Sequence, residues 1–215
     1  MKGVIEEGAQ RRAVYEHVWD TCSDRTHKTV EKHDTMHKII LLDRDGVINQ
    51  DSADYIKSVA EYVFLPGSID AIARLTQAGY RIGIATNQSG IERGYYDVAK
   101  LKEIHSYMLT HIRHAGGDIA AIEFCPHHPD RHCACRKPMP GMLHALAQRL
   151  DCSLKDVPFV GDKLTDLQAA MMVQAQPIFL TTNPSEKIKV VSQYPEVLMY
   201  ESLAQYVDTL LAMET

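Results

Sequence analysis

Basic charge is not in excess: 23 Lys plus Arg stand against 28 Asp plus Glu, a formal net charge of −5. A non-specific nucleic-acid binder needs the opposite balance, so no nucleic-acid partner is expected. Long apolar runs are missing as well. No stretch reaches the roughly 18 consecutive apolar residues of a membrane span. The opening residues, MKGVIEEGAQRRAVYEHVWD, hold no apolar core of a cleaved secretion signal. No membrane partner is therefore expected. Cysteine is sparse too, five in 215 residues, which makes no disulfide framework in a chain long enough to bury a core unaided. With 45% hydrophobic and 24% charged residues, the composition is that of an ordinary globular protein, one domain or one domain with an appendage. What these totals hide is placement. Cys125, Cys133 and Cys135 fall close together, among His127, His128 and His132.

Residues 1–36 mix acidic and basic side chains without a clear apolar period. They are expected to be an extension of unknown role, or an upstream start before Met36, preceding a domain over 37–215. A helix over 5–19 would put Val14, Val18 and Trp19 on one side. From Met36 the pattern turns regular. Lys38–Leu42 is an apolar run without polar alternation, which suits a strand buried on both faces. Ile69, Ile72 and Leu75 recur at helical spacing after Pro66, with Gly79 as terminator. Arg81–Thr86 is the next strand. Asp97 is placed to cap a helix carrying Leu101, Ile104, Met108 and Ile112. Strands are predicted over 119–124, 157–160 and 177–180, and helices over 140–150, 164–173 and 201–213. Strand and helix alternate five times, which predicts an α/β domain, a parallel sheet with helices on both faces.

In open α/β sheets the site lies outside the carboxyl ends of the strands. Here those ends present Asp43 and Asp45, then Thr86 and Asn87, then Cys125 and His127, then Asp162 and Asp166. A single Asp after a strand is an ordinary turn former; several strands delivering acids or hydroxyls to one edge are not. Two like charges about 4 Å apart repel by about 4 kcal/mol at an effective dielectric of about 20. A hard divalent cation removes that penalty, and an all-oxygen donor set selects Mg²⁺ over Zn²⁺. Arg136 and Lys137, directly after the cysteines, supply the paired cations that a phosphoryl group beside Mg²⁺ requires.

Four ordered segments, L-L-D-R-D-G-V-I-N, A-T-N-Q-S-G-I, C-R-K-P-x-P-G-M and F-V-G-D-K-x-x-D-L-Q-A-A, resemble the four motifs of haloacid-dehalogenase-type phosphatases. The resemblance runs from about Met36 to Gln176. It is nearest to the D-glycero-D-manno-heptose 1,7-bisphosphate 7-phosphatase branch, with histidinol phosphatases as near relatives. It implies a single Rossmann-like domain in which Asp43 is the nucleophile, forming an aspartyl-phosphate, and Asp45 the acid and then the base. Thr86 and Lys137 would hold the transferring phosphoryl oxygens. Asp162 would complete a Mg²⁺ sphere with the Asp43 carboxylate and the backbone carbonyl of Asp45. Asn87, Gln88, Ser89 and Arg136 are implied as substrate contacts, with Asp51 a weaker candidate. The chain lacks a large cap domain, since only about twenty residues separate Gly46 from Gly67.

Cys125, Cys133 and Cys135 with one of the three histidines make a closed tetrahedral set, the mark of a structural Zn²⁺. The resemblance selects His127, two residues after the first cysteine. The loop would stiffen the segment that delivers Arg136 and Lys137. Cys22 and Cys152 read as reduced thiols, and thiolate-bound zinc without a secretion signal points to the cytoplasm.

The implied activity is removal of the 7-phosphate from a heptose bisphosphate, a small-molecule sugar phosphate, in synthesis of a lipopolysaccharide core precursor, by a monomer. Two features depart from that branch: the five-residue gap between His127 and Cys133, as in histidinol phosphatases, and Leu180-Thr181-Thr182 where Arg-Thr-Gly is common. Histidinol-phosphate hydrolysis is therefore the alternative activity, and a non-catalytic phosphosugar-binding protein the alternative of another class. Intact Asp43 and Asp45 argue against the latter.

Overall fold

The computed structural model describes residues 38–214; the expected extension and its helix over 5–19 lie outside the described residues. β1 (Ile39–Leu42) is buried along its whole length, as its unbroken apolar run predicts. It pairs in parallel with β2 (Arg81–Asn87) on one side and β4 (Pro158–Gly161) on the other. The sheet has six strands in the order β3-β2-β1-β4-β5-β6, every pair parallel, with β3 at Ala121–Cys125, β5 at Gln176–Leu180 and β6 at Leu198–Tyr200.

The chain winds outward from β1 through β2 to β3, then crosses back to β4 and winds the other way. Right-handed crossovers running in opposite directions put their helices on opposite faces. α1 (Ser68–Gln77) and α2 (Val98–His114) belong to the first half and pack on each other. α3 (Gly141–Arg149) and α4 (Leu164–Met172) belong to the second. One apolar cluster joins Ile39 and Leu41 to Leu143 and Leu146 of α3, and to Ala169 and Ala170 of α4. Side chains alternate along a strand, so Ile40 and Leu42 turn to the other face, the side of Ile72, Leu75, Leu101 and Ile104, all fully buried. The helix signals read from sequence act as such: the Asp97 carboxylate accepts from the Lys100 backbone N–H at 2.8 Å, and Gly79, with φ +86°, ends α1.

Two elements escape the sequence reading, α5 (Pro184–Gln193) and β6. Val190 is the buried residue of α5, so the apolar period that announces a helix is absent, although Asn183 caps it and Pro184 opens it. β6 is a three-residue edge strand, partly exposed throughout. α6 (Leu203–Ala212) closes the fold against α1. Among the described residues, no helix is long and apolar enough to cross a membrane.

The consequence for function is the reversal between β1 and β4. It leaves a crevice at the carboxyl ends of those strands, where Asp43 and Asp162 follow directly.

Candidate active site

The chain after β1 must turn at once, and Gly46 makes that possible with φ +84°. A Cβ at this position would lie 2.1 Å from Asp162 Oδ2, so the glycine also admits the Asp162 carboxylate. The Asp43 backbone N–H donates to Val160 O at 2.8 Å, fastening the end of β1 to β4. Its carboxylate Oδ1 lies 2.9 Å from Lys137 Nζ. The same ammonium reaches Asp166 Oδ1 at 2.7 Å and the Ala85 carbonyl at 2.8 Å. One hydrogen bond to the Ala85 carbonyl and two facing carboxylates are what keep a lysine only 2% exposed charged. Asp166, in the first turn of α4, also accepts from the Lys163 backbone N–H at 3.0 Å.

Carboxylate oxygens of Asp43, Asp162 and Asp166 lie within 4.8 Å of one another. Burial pushes the Asp162 carboxyl up to about 8; Lys163 opposes this, and Asp166 and Asp43 reinforce it. Burial likewise pushes Asp43 up to about 6 against the pull of Lys137. Both Asp162 oxygens are buried without a hydrogen-bond partner. Orphaned acceptors of this kind in a surplus of negative charge fit a hard cation. Asp43, Asp162 and Asp166 could together hold a metal ion; Asp43 and Asp166 also face Lys137, and Asp162 does not. Asp45 contributes no carboxylate to this group; only its backbone carbonyl is left for the role expected of it.

The Asp45 carboxylate is instead gripped by Arg44, whose Nη2 donates to Oδ1 at 2.8 Å and to Oδ2 at 2.9 Å. Asn49 Nδ2 donates to Oδ1 at 2.9 Å and Gln88 Nε2 to Oδ2 at 2.8 Å. Burial resists ionisation of Asp45, but the Arg44 guanidinium and the hydrogen bonds from Arg44 and Asn49 win, holding the carboxyl below its usual range. Thr86 is fully buried, its hydroxyl accepting from Gln88 Nε2 at 2.8 Å. Asn87 pairs both ends of its amide with the Lys137 backbone, at 3.1 and 3.2 Å, and so ties β2 to the loop bearing that lysine.

A cleft of about 510 Å³ opens over these groups, lined among others by Asp45, Asp51, Gln88, Ser89 and Arg136. Asn87 and Lys137 line it too, whereas Asp43, Thr86 and Asp162 are not in the lining; Lys137 links the cleft to Asp43. Lys163, also in the lining, has no assigned role in the sequence reading although it follows Asp162 in the G-D-K run. It pairs with Asp51 at 2.9 Å. Asp166, noted from sequence only as an acid at the strand end, proves to be the second anchor of Lys137. Arg44 is missed outright.

Beside the cleft, Cys125, His127, Cys133 and Cys135 converge. The three Sγ–Sγ distances are 3.6, 3.2 and 3.4 Å, and His127 Nδ1 lies 3.5 Å from Cys125 and 3.2 Å from Cys135. A tetrahedron with metal–sulfur bonds of about 2.3 Å has edges near 3.8 Å, so the set could hold a Zn²⁺, with Nδ1 the near nitrogen. His128 Nδ1 instead lies 3.3 Å from the Asp130 backbone N–H, from which it accepts, and His132 is exposed, so His127 is the histidine grouped with the three thiols. The thiols already share protons unequally. The contact between Cys125 and Cys135 pushes the Cys135 thiol down to about 5 and the Cys125 thiol up.

The sequence model of a family described as "Hydrolase: haloacid dehalogenase-like hydrolase" matches residues 6–172. A Pseudomonas putida protein named D-glycero-beta-D-manno-heptose-1,7-bisphosphate 7-phosphatase is 47% identical over 167 residues, 78% of this chain and 95% of that one. A protein of the same name from Bordetella bronchiseptica is 48% identical over 175 residues, 81% of this chain and 98% of that one. The crystal structure of the D,D-heptose 1,7-bisphosphate phosphatase from B. bronchiseptica, complexed with magnesium and phosphate, superposes with a TM-score of 0.78 at 47% identity. It covers 82% of this chain and 99% of its own.

Two predictions follow from the charges and the thiols. Asp162 and Asp43 bind protons more tightly in the fold than their ordinary value of 3.8. Their contribution to stability is therefore full below about pH 4 and is lost as pH rises through about 6 and 8. The Tm of metal-stripped protein is expected to fall over that window and Mg²⁺ to restore it, with a larger Mg²⁺-induced rise at pH 8 than at pH 5. Asp162→Asn flattens both effects; an equal Mg²⁺ shift at the two pH values contradicts the assignment. For the thiols, Cys133→Ser is expected to lose zinc by elemental analysis, to lower Tm, and to cut phosphatase activity while Asp43 is untouched. Full activity in zinc-free protein would show that the loop needs no metal.

Proposed function

The chain belongs to the haloacid dehalogenase-like hydrolase family, and we propose that it is a Mg²⁺-dependent phosphatase removing the 7-phosphate of D-glycero-β-D-manno-heptose 1,7-bisphosphate. The observation that carries this reading is the buried Asp43–Lys137–Asp166 arrangement beside the unpartnered Asp162, in a chain 47–48% identical to proteins named for that reaction. The β anomer is taken from the same names.

Asp43 is the nucleophile. Its carboxylate oxygen attacks phosphorus and the bond from phosphorus to the sugar O7 breaks; Asp45, ionised in the free fold, takes up a proton brought in by the phosphate monoester and passes it to O7. Water then attacks the aspartyl-phosphate, Asp45 takes a proton from it, and the bond from phosphorus to Asp43 breaks to release inorganic phosphate. Lys137 faces the nucleophile and, with the Thr86 hydroxyl, holds the phosphoryl oxygens in line. Mg²⁺ bound by Asp43 and Asp162 supplies neutralisation of the charge on those oxygens. Over the open cleft, Arg136, Ser89, Asn87, Gln88 and Asp51 meet the sugar and its second phosphate. Gln88 and Asn87 also brace Asp45 and the Lys137 backbone, so their contacts to substrate and to protein are coupled.

In the same reading the phosphatase domain is residues 37–215, consistent with relatives whose length is 95–98% accounted for by 78–81% of this chain. It works as a monomer in a reducing cytoplasm, where zinc thiolates persist.

Comparison of kcat/KM on both heptose bisphosphate anomers and on histidinol phosphate tests this. The β heptose bisphosphate is expected to lead by at least about tenfold, a difference of about 1.4 kcal/mol in transition-state binding. Turnover is expected to require Mg²⁺ and to vanish in Asp43→Asn. A tenfold lead for histidinol phosphate, or turnover surviving Asp43→Asn, would overturn it.

A further inference from the structure

We propose that Arg44 and His105 are positioning residues of the phosphatase, a buried bracket that aims the Asp45 carboxylate at the leaving oxygen. The inference rests on the reading of Asp45 as the proton donor.

Arg44 stands between the two reacting aspartates and reaches the lining of the cleft, yet only 1% of it is exposed. A buried guanidinium is costly unless every donor finds a partner. Its planar fork is spent on one neighbour: Nε and Nη2 both reach Asp45 Oδ1, at 3.2 and 2.8 Å, and Nη2 also reaches Oδ2 at 2.9 Å. The remaining amino group, Nη1, lies 3.3 Å from His105 Nε2 on α2. The ring of Tyr62 covers the guanidinium, with Cζ 5.9 Å from the ring centroid. His105 is itself buried, and burial beside a guanidinium pulls its imidazole down to about 3. It is therefore neutral, and Nε2 accepts from Arg44 while Nδ1 carries the proton.

The direction of these contacts is what matters. Asn49 and Gln88 hold Asp45 from the other sides, and Gln88 is in turn held by the Tyr96 hydroxyl, which donates to its Oε1 at 2.6 Å. With both oxygens engaged, the carboxylate has one orientation, fixed relative to α2 through His105 and relative to Thr86 through Gln88. A proton donor placed to within a fraction of an ångström is worth far more than one free to rotate. Lysine at position 44 would keep the charge and lose the fork.

A structural ion pair and a positioning bracket differ in one readout. p-Nitrophenol leaves as a stable anion and needs no proton, whereas a primary alkoxide needs one. The value of kcat/KM reports only the steps through formation of the aspartyl-phosphate, so it isolates this proton transfer. The variants Arg44→Lys, His105→Leu, His105→Gln and Asp45→Asn are compared, with Mg²⁺, on p-nitrophenyl phosphate and on the heptose bisphosphate. Arg44→Lys and His105→Leu are expected to lose at least about tenfold more kcat/KM on the sugar phosphate than on the aryl phosphate. His105→Gln, which keeps an acceptor for Nη1, recovers most of the loss. Asp45→Asn shows the same selectivity, larger. If Asp45→Asn is selective while Arg44→Lys and His105→Leu lower both substrates equally, or neither, the bracket is overturned and the donor stands. If Asp45→Asn is itself unselective, the donor assignment fails and the bracket with it. Should Arg44→Lys not fold, the His105 pair decides alone.

Discussion

One ammonium group holds the site together. Lys137 carries a single positive charge into a buried space that it shares with Asp43 and Asp166, with Asp162 close by. Remove it, and like charges within about 5 Å repel by several kcal/mol even at an effective dielectric of about 20. Its three partners come from β1, β2 and α4, so the same contacts that neutralise the acids also lock three elements in register. What Lys137 does not balance is Asp162, which keeps two unpartnered oxygens and a proton affinity raised to about 8. The site is thus built short of one cation.

That constraint explains the zinc loop. A buried lysine must arrive at a fixed place, yet Lys137 sits on an irregular segment between β3 and α3. Four ligands between Cys125 and Cys135 close that segment within a dozen residues of the lysine, and Asn87 clips its backbone from β2. Structural zinc contributes on the order of 10 kcal/mol of apparent binding free energy, comparable to the stability of a whole domain. The Gly141 N–H bond to Ala134 O at 3.0 Å continues the same segment into α3. In the proposed reading, a metal held by the cysteine loop would bear on the catalytic site through Arg136 and Lys137, at the end of that loop.

The parts legible in the sequence were those with local causes. Apolar runs ending in Asp, Thr or Asn gave away the strands and the edge they share, because a strand buried on both faces must be apolar throughout and can turn polar only where it stops. Cys125, Cys133 and Cys135 were legible because thiol spacing is itself the signal. Among three histidines the spacing alone did not choose; the resemblance selected His127, whose Nδ1 lies against the Cys125 and Cys135 sulfurs. Illegible were the residues whose meaning comes from distant partners. Arg44 lay inside a quoted motif with no role assigned, because its partner His105 is 61 residues on. Lys163 and Asp166 lay in a quoted motif, but Asp51 and Lys137 decide what each does. α5 and β6 were lost for a plainer reason: one buried residue in α5 and partial exposure along β6 leave no apolar period to detect.

The central claim is covalent: phosphorus passes to Asp43 before it passes to water. Rapid acid quench of a single turnover, followed by peptide mass spectrometry, reads this directly. The account predicts a phosphoryl adduct on Asp43 that forms as the sugar product appears and decays as inorganic phosphate is released, and that accumulates in Asp45→Asn given p-nitrophenyl phosphate, which forms the adduct without a proton donor while the water is no longer deprotonated. Turnover with sugar and phosphate released together, and no adduct on Asp43 at any quench time in either protein, would contradict it.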